Sequence, residues 1–165
     1  MKTMTLIHRK QSLEFDIQRS IRYNSKRSAF FRRWENITNI SNAVLGSASA
    51  VTILNQSLFL AMCFGFSVTF LSILAFWLKF SEKANFHHNI VLEFGRLYEQ
   101  LLDIEPTETQ LNLIENALHR LDNKEGEPLK NVEKIAYNET VVALGYSSSN
   151  CVPLKWYQRF FSHYW

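Results

Sequence analysis

The sequence predicts an all-α fold: a two-transmembrane helical hairpin, preceded by a basic amphipathic helix and followed by a cytoplasmic helical domain. Three observations carry that expectation. The run from Asn36 to Leu78 contains no Asp, Glu, Lys or Arg. At about 43 residues it is twice the roughly 20 that cross a ~30 Å hydrocarbon core. Half of the 18 Lys and Arg precede this run, offset there only by Glu14, Asp16 and Glu35. Beyond it, apolar residues recur at three- and four-residue spacings between Pro- and Gly-marked breaks. The chain accordingly divides into an N-terminal basic segment (1–35), the hairpin (36–80) and a helical domain with an aromatic tail (81–165).

Residues 1–10 read as a short polar lead. From Ser12 onward Leu13, Ile17 and Ile21 fall on one helical face, with basic residues elsewhere on the surface. The cluster Arg19, Arg22, Lys26, Arg27, Arg32 and Arg33 stops at the start of the apolar run, so anionic lipid headgroups are its nearest partner, at ~1 kcal/mol per residue. No nucleic acid is expected. This segment lies on the bilayer, packs on the C-terminal helices, or continues through Phe30, Phe31 and Trp34 into the first span; the sequence leaves all three open. Lys79 and Lys83 follow the run, whereas the break at Asn55-Gln56-Ser57 carries no charge. The positive-inside rule therefore places both termini in the cytoplasm.

The break defines two spans, Ile37 to Leu54 and Leu58 to Leu78. The first carries Thr38, Asn42, Ser49, Thr52 and Gln56 along one stripe, interrupted near Leu45. Such a stripe either lines a pore or joins helices through hydrogen bonds worth ~0.6 kcal/mol on average. The second span is bulky and apolar, with Ala61, Gly65 and Thr69 as a small-x-x-x-small series that suits a close helix contact, within the hairpin or between subunits. A soluble domain with a buried hairpin is the alternative, but it would have to hide a second helix that has no polar face.

A long amphipathic helix is expected after Ser81, continuing the second span, with Phe86, Ile90, Phe94, Leu97, Leu101 and Ile104 on its apolar side. Pro106 ends it. Thr107 with Gln110 forms a capping box for a helix buried through Leu111, Ile114, Leu118 and Leu121. Pro128 suits the first position of a third helix, carrying Leu129, Val132, Ile135 and Ala136 and stopping at Gly145. The closing LKWYQRFFSHYW suits either an interfacial helix or a tail folded back on the domain.

No residues in the chain support catalysis. His8, His87, His88, His119 and His163 are scattered, and neither Cys63 nor Cys151 has a partner at metal-binding spacing, so no metal and no cofactor is expected. Phosphate loops, nucleophile elbows and zinc-protease helices are lacking. The sequons at Asn36-Ile37-Thr38 and Asn138-Glu139-Thr140 fall away from any lumen in this topology. Glu93, Glu99, Asp103, Glu105 and Glu108 read as a solvated helix face.

With the hairpin, Phe86-His87-His88 opening the next helix, Glu127-Pro128 and Ala136-Tyr137-Asn138-Glu139 in view, the chain resembles the SLATT family, the SMODS and SLOG-associating two-transmembrane effectors. The likeness runs from about Arg19 to Tyr157. It implies a bacterial anti-phage effector of the inner membrane, homo-oligomeric, forming a pore or disrupting the bilayer in abortive infection when a nucleotide signal or a partner protein reports attack. No nucleotide-binding domain is fused here, so the resemblance implies a separate cytoplasmic sensor or nucleotide-generating partner. Glu127, Pro128, Asn138 and Glu139 carry over as structural positions. A non-conducting membrane adaptor that docks a cytoplasmic protein is the alternative, and an immunity partner is a third reading.

Overall fold

In the computed structural model the described residues are 2–163, with the side chains of Lys2, Thr3 and Phe160 excluded. The expectation for the final aromatics, Tyr164 and Trp165, lies outside the described residues. The regular structure is all helical, with no strand among the described residues. Its helices are α1 (Lys2–Leu54), α2 (Leu58–Leu78), α3 (Phe80–Asp103), α4 (Glu108–Glu125), α5 (Lys130–Ala143) and α6 (Trp156–Phe160), with a 3-10 turn at Ser148–Asn150. Two compact units result, Met1–Arg27 with His87–Trp165, and Ser28–Phe86.

The first unit is a bundle. Leu13 and Ile17 of α1, Ile90, Phe94, Leu97 and Leu101 of α3, and Leu111, Ile114, Leu118 and Leu121 of α4 form its main core. Tyr23, Val132 and Ala136 form a smaller one, with Leu129 packed against it. Phe94, Ile17, Leu101 and Leu111 are fully buried. Each such side chain contributes about 1.5–3 kcal/mol through removal from water.

Several expectations shift here. The polar lead is helical from Lys2, because Leu6 extends the apolar face of α1 onto the core. Arg9 anchors that turn on Asn112 and Glu115, and Lys10 Nζ donates to the Ile104 carbonyl at 2.8 Å. Thr107 does cap α4, its Oγ1 accepting from the Gln110 N–H at 3.4 Å. The Gln110 side chain, however, meets the Thr107 hydroxyl (2.9 Å) rather than the Thr107 N–H, so the box closes only halfway. Pro128 is not the first residue of α5, which begins at Lys130. Leu129 is extended there, with its N–H donating to Tyr23 Oη at 3.1 Å, and that bond holds the chain out of the helix for one more residue. Gly145, at φ 75°, lies just past the helix end, where a left-handed turn is needed and a Cβ would be strained.

The tail folds back. Asn138 Nδ2 donates to the Val152 carbonyl (2.8 Å), and Asn138 Oδ1 accepts the Val152 N–H (2.7 Å). One side-chain amide thus satisfies both backbone groups of a loop residue. Ser162 is buried, and Arg27 donates to the His163 carbonyl at 3.3 Å. Trp156 stays 77 % exposed.

In the second unit α1 turns into α2 through Asn55-Gln56-Ser57, where Gln56 adopts φ 58°. The two helices run antiparallel: Ser49 Oγ donates to the Ala61 carbonyl (3.1 Å), Asn42 Nδ2 to Ser72 Oγ (3.2 Å), and Trp34 stacks on Phe80 at 6.3 Å. Ser28 Oγ, further back on α1, donates to the Ala84 carbonyl at 2.9 Å. The expected unbroken passage from α2 into α3 does not occur. Lys79 sits between them in the left-handed region, at φ 51° and ψ 46°, and its N–H still bonds the Ala75 carbonyl. A non-Gly residue in that conformation costs roughly 1–2 kcal/mol, which the Lys79–Glu82 ion pair and the Phe80–Trp34 stack help offset.

Candidate functional site

Two helices of the chain are long and apolar enough to cross a bilayer, and only 6 % of the most apolar window of each is buried. Phe59, Phe66, Phe70, Phe76 and Trp77 of α2 all stand outward, Trp77 at 82 % exposure. The core helix of a soluble protein would be mostly covered by its own chain; these helices are covered by very little. An exposed apolar surface of this size marks a face that a membrane or a protein partner covers.

The polar stripe of α1 is turned toward α2 over much of its length. Thr38 is buried and its Oγ1 donates to the Trp34 carbonyl one turn back at 2.9 Å. Asn42 and Ser49 reach across to α2 as described, while Thr52 Oγ1 bonds the Ala48 and Ser49 carbonyls. Asn42 Oδ1 is buried without a hydrogen-bond partner. Gln56 is exposed in the turn. Away from the turn, a cavity of about 460 Å³ opens among Thr38, Asn39, Ala75, Lys79, Phe80 and Glu82. Of the small series, Ala61 is buried against α1, Thr69 is exposed and bonds the Gly65 carbonyl (2.9 Å), and a Cβ added at Gly65 would meet nothing within 4 Å.

The basic cluster is divided. Arg19 lies near Asp16 (3.5 Å) and Glu133 (3.9 Å), Arg22 Nη1 donates to Gln18 Oε1 (2.7 Å), and Lys26 pairs with Glu139 (2.6 Å). Arg27 reaches the tail, and burial lowers its pKa. Arg32 and Arg33 are exposed. Glu139 thus ties α5 to α1, Asn138 holds the tail, Pro128 lines a cavity of about 230 Å³ with Arg19, Ser20, Tyr23, Asp122 and Glu125, and Glu127 is exposed beside it.

Beside that cavity lies a feature the sequence did not reveal. Asn24 is fully buried, its Nδ2 donating to the Ser20 carbonyl (3.0 Å) and to Glu125 Oε1 (2.7 Å). The Ser20 carbonyl can only accept, so the amide nitrogen is fixed on that side and Oδ1 faces His87 Nδ1 at 2.8 Å. Burial and then the charge of Arg27 push the His87 pKa down to about 4. Burial pushes the Glu125 carboxyl up to about 7, with Asp122 adding to the rise and Asn24 and Arg19 opposing it. Asp122 is itself raised, by burial first. Buried histidines and asparagines interrupting apolar series at helical spacing were the available signal: Asn24 follows Leu13, Ile17 and Ser20, and His87 precedes Ile90 and Phe94.

Among the described residues no group of three or more His, Cys, Asp or Glu is placed to hold a metal ion. Compared with family models, curated proteins and solved structures, the chain matches none.

Proposed function

We propose that the chain is a two-span membrane protein with both ends in the cytoplasm, acting as a homo-oligomeric effector of bacterial anti-phage defence. In this reading it opens or disrupts the inner membrane when triggered. The observation that carries the membrane assignment is that only 6 % of each of two apolar windows is buried. The SLATT resemblance supplies the defence context. No catalytic step is assigned.

The polar stripe supports a gated arrangement. A lipid-facing helix gains nothing from Asn42 and Ser49, since an unpaired amide in hydrocarbon costs several kcal/mol. In the closed hairpin these groups are turned onto α2 and held by weak cross-helix bonds. Opening would exchange those bonds for water in a lumen assembled from several copies, with the bulky face of α2 left to lipid. The cavity near Pro128 is small for a nucleotide and presents Asp122, Glu125 and Glu133 against the single Arg19, which opposes phosphate. That cavity is therefore not where a nucleotide signal is read, and the proposed trigger is a cytoplasmic sensor protein or a nucleotide bound elsewhere.

The same bonds favour a second reading. Polar groups satisfied inside one hairpin need no lumen, and a membrane adaptor that docks a cytoplasmic protein would show them too. Expression of the parent and of Asn42→Leu with Ser49→Leu at matched membrane levels separates the two. The effector reading expects the parent to admit impermeant dye and collapse the membrane potential, and the double variant to do so far less. Equal depolarisation by both would remove α1 from the pore, and none by either would favour the adaptor. Labelling of Cys151 by an impermeant maleimide in intact cells would overturn the topology.

A further inference from the structure

The uncharged run is bounded by a charged residue at each end, Glu35 before the first span and Lys79 after the second. The hairpin brings the two together: both line the cavity of about 460 Å³ at the ends of the spans away from the turn, along with Asn39, Phe76 and Glu82. That volume falls within the ~300–1,000 Å³ of small-ligand sites. Its lining is charged on one side and apolar on the other, where Phe76, like its neighbour Trp77, stands exposed on α2.

Two of its polar groups are unused. Glu35 is half-buried, and among the described residues neither its carboxylate nor the Asn39 amide enters a hydrogen bond or an ion pair. A carboxylate partly shielded from water and without a cation is unfavourable. Lys79 Nζ meets one carboxylate, Glu82 Oε2 at 2.9 Å, which leaves two of its three N–H donors to spare. Two carboxylates against one ammonium oppose a ligand of net negative charge. A neutral ligand that carries a cation for Glu35, an anion for Lys79 and an apolar body for Phe76 answers every side of the cavity.

We propose that this cavity is the headgroup site of an aminophospholipid, whose primary ammonium meets Glu35 and whose phosphate meets Lys79. The inference rests on the two-span membrane reading, which supplies the bilayer at this depth. The ammonium donates to the Glu35 carboxylate and to Asn39 Oδ1, the phosphate accepts from Lys79 Nζ, and the acyl chains run along Phe76 and Trp77. A trimethylated choline has no N–H to donate, and a glycerol headgroup brings Glu35 no cation. A lipid seated there bridges the start of one span and the end of the other, so bilayer composition sets how firmly the hairpin is held at this end.

The test is native mass spectrometry of the full chain released from micelles holding equal amounts of phosphatidylethanolamine, phosphatidylcholine and phosphatidylglycerol with identical acyl chains. The parent is expected to retain the ethanolamine lipid roughly tenfold over either of the others, about what one charge-assisted hydrogen bond contributes. Glu35→Gln, of the same size, is expected to bring the ethanolamine and choline lipids to parity. Lys79→Asn, which suits the left-handed backbone there, is expected to lower retention of the ethanolamine lipid severalfold. Equal retention of the ethanolamine and choline lipids by the parent overturns the proposal, and that measurement needs no variant. So does a preference for phosphatidylglycerol, or an unchanged ratio in folded Glu35→Gln. Glycerophosphoethanolamine, the same headgroup without acyl chains, is added at the concentration of the lipid: failure to displace it supports the site, and displacement overturns the lipid as its occupant. Carbonate washing of vesicles made from the same lipids keeps the two readings apart. A chain that washes off every vesicle overturns the membrane reading itself, whereas one that stays in all of them and shows no headgroup preference overturns this site alone.

Discussion

The bundle and the hairpin solve the same problem by opposite means. In the bundle the large apolar side chains are inside: Phe94, Ile17, Leu101 and Leu111 have lost all contact with solvent. In the hairpin many are outside: Phe76 is 81 % exposed, while Thr38 and Ala61 are buried and Asn42 and Ser49 bond across to α2 beside partly covered Phe64, Val68 and Leu71. A helix presents its larger apolar face to whatever surrounds it most cheaply. Water drives that face inward, whereas hydrocarbon leaves it indifferent and penalises the polar face instead. The same chain thus contains one unit with its large apolar side chains inside and one with many of them outside, and the second arrangement is the one the proposed membrane reading requires.

The sharpest way to break this comparison is a pair of truncations. Phe94→Ala should cost the bundle about 3–5 kcal/mol, read as loss of cooperative unfolding or a large drop in midpoint in mild detergent. Phe76→Ala should change the stability of the same protein by less than about 1 kcal/mol, because no protein cavity is created. Equal losses would mean that Phe76 is covered by a second copy or by the protein's own core.

Polar substitutions sharpen it further. Asn24→Leu leaves Glu125 and His87 without their buried partner and should cost about 2–3 kcal/mol, measured by chemical denaturation at pH 7. Asn42→Leu removes one cross-helix bond in hydrocarbon and should cost about 0.6 kcal/mol in the hairpin. If the two losses were alike, the hairpin seam would be as desolvated and as specific as the bundle network.

A smaller effect is expected at the tail. Asn138→Ala removes both bonds to Val152 and should cost about 1–2 kcal/mol locally, seen as faster proteolysis after Tyr146 with little change in the bundle midpoint. Smallest of all is Gly65→Leu. The Cβ meets nothing within the chain, so the monomer's stability should stay within about 0.5 kcal/mol. A change in oligomer size in detergent with unaltered monomer stability would place Gly65 at a contact between copies, and no change in either would leave that face to lipid.

Much of this was legible in the residues alone. The two spans end at Leu54 and Leu78 and restart at Leu58 as the uncharged run and its Asn-Gln-Ser break require, because hydropathy and turn chemistry are local properties. The buried faces of α3 and α4 followed from three- and four-residue spacing, Ile90 to Leu101 and Leu111 to Leu121. Phe86 did not follow. It is 43 % exposed, and His87 takes the inward position one residue on. Periodicity ranks residues by polarity, and it cannot see that Asn24 and Glu125 arrive from two other helices to satisfy an imidazole there.

The sequence by itself therefore determined where the helices run and which segments refuse water, since each of those depends on neighbours one to four residues away. Only the tertiary structure decided the left-handed break at Lys79, the start of α5 at Lys130 behind the Tyr23–Leu129 bond, the amide clamp of Asn138 on the tail, and the path from His87 through Asn24 to Glu125. Each of these is a hydrogen bond or a backbone conformation whose partner lies far along the chain or whose strain is met by a contact elsewhere. Their energies exist only once the helices have met, and no pattern within one helix records them.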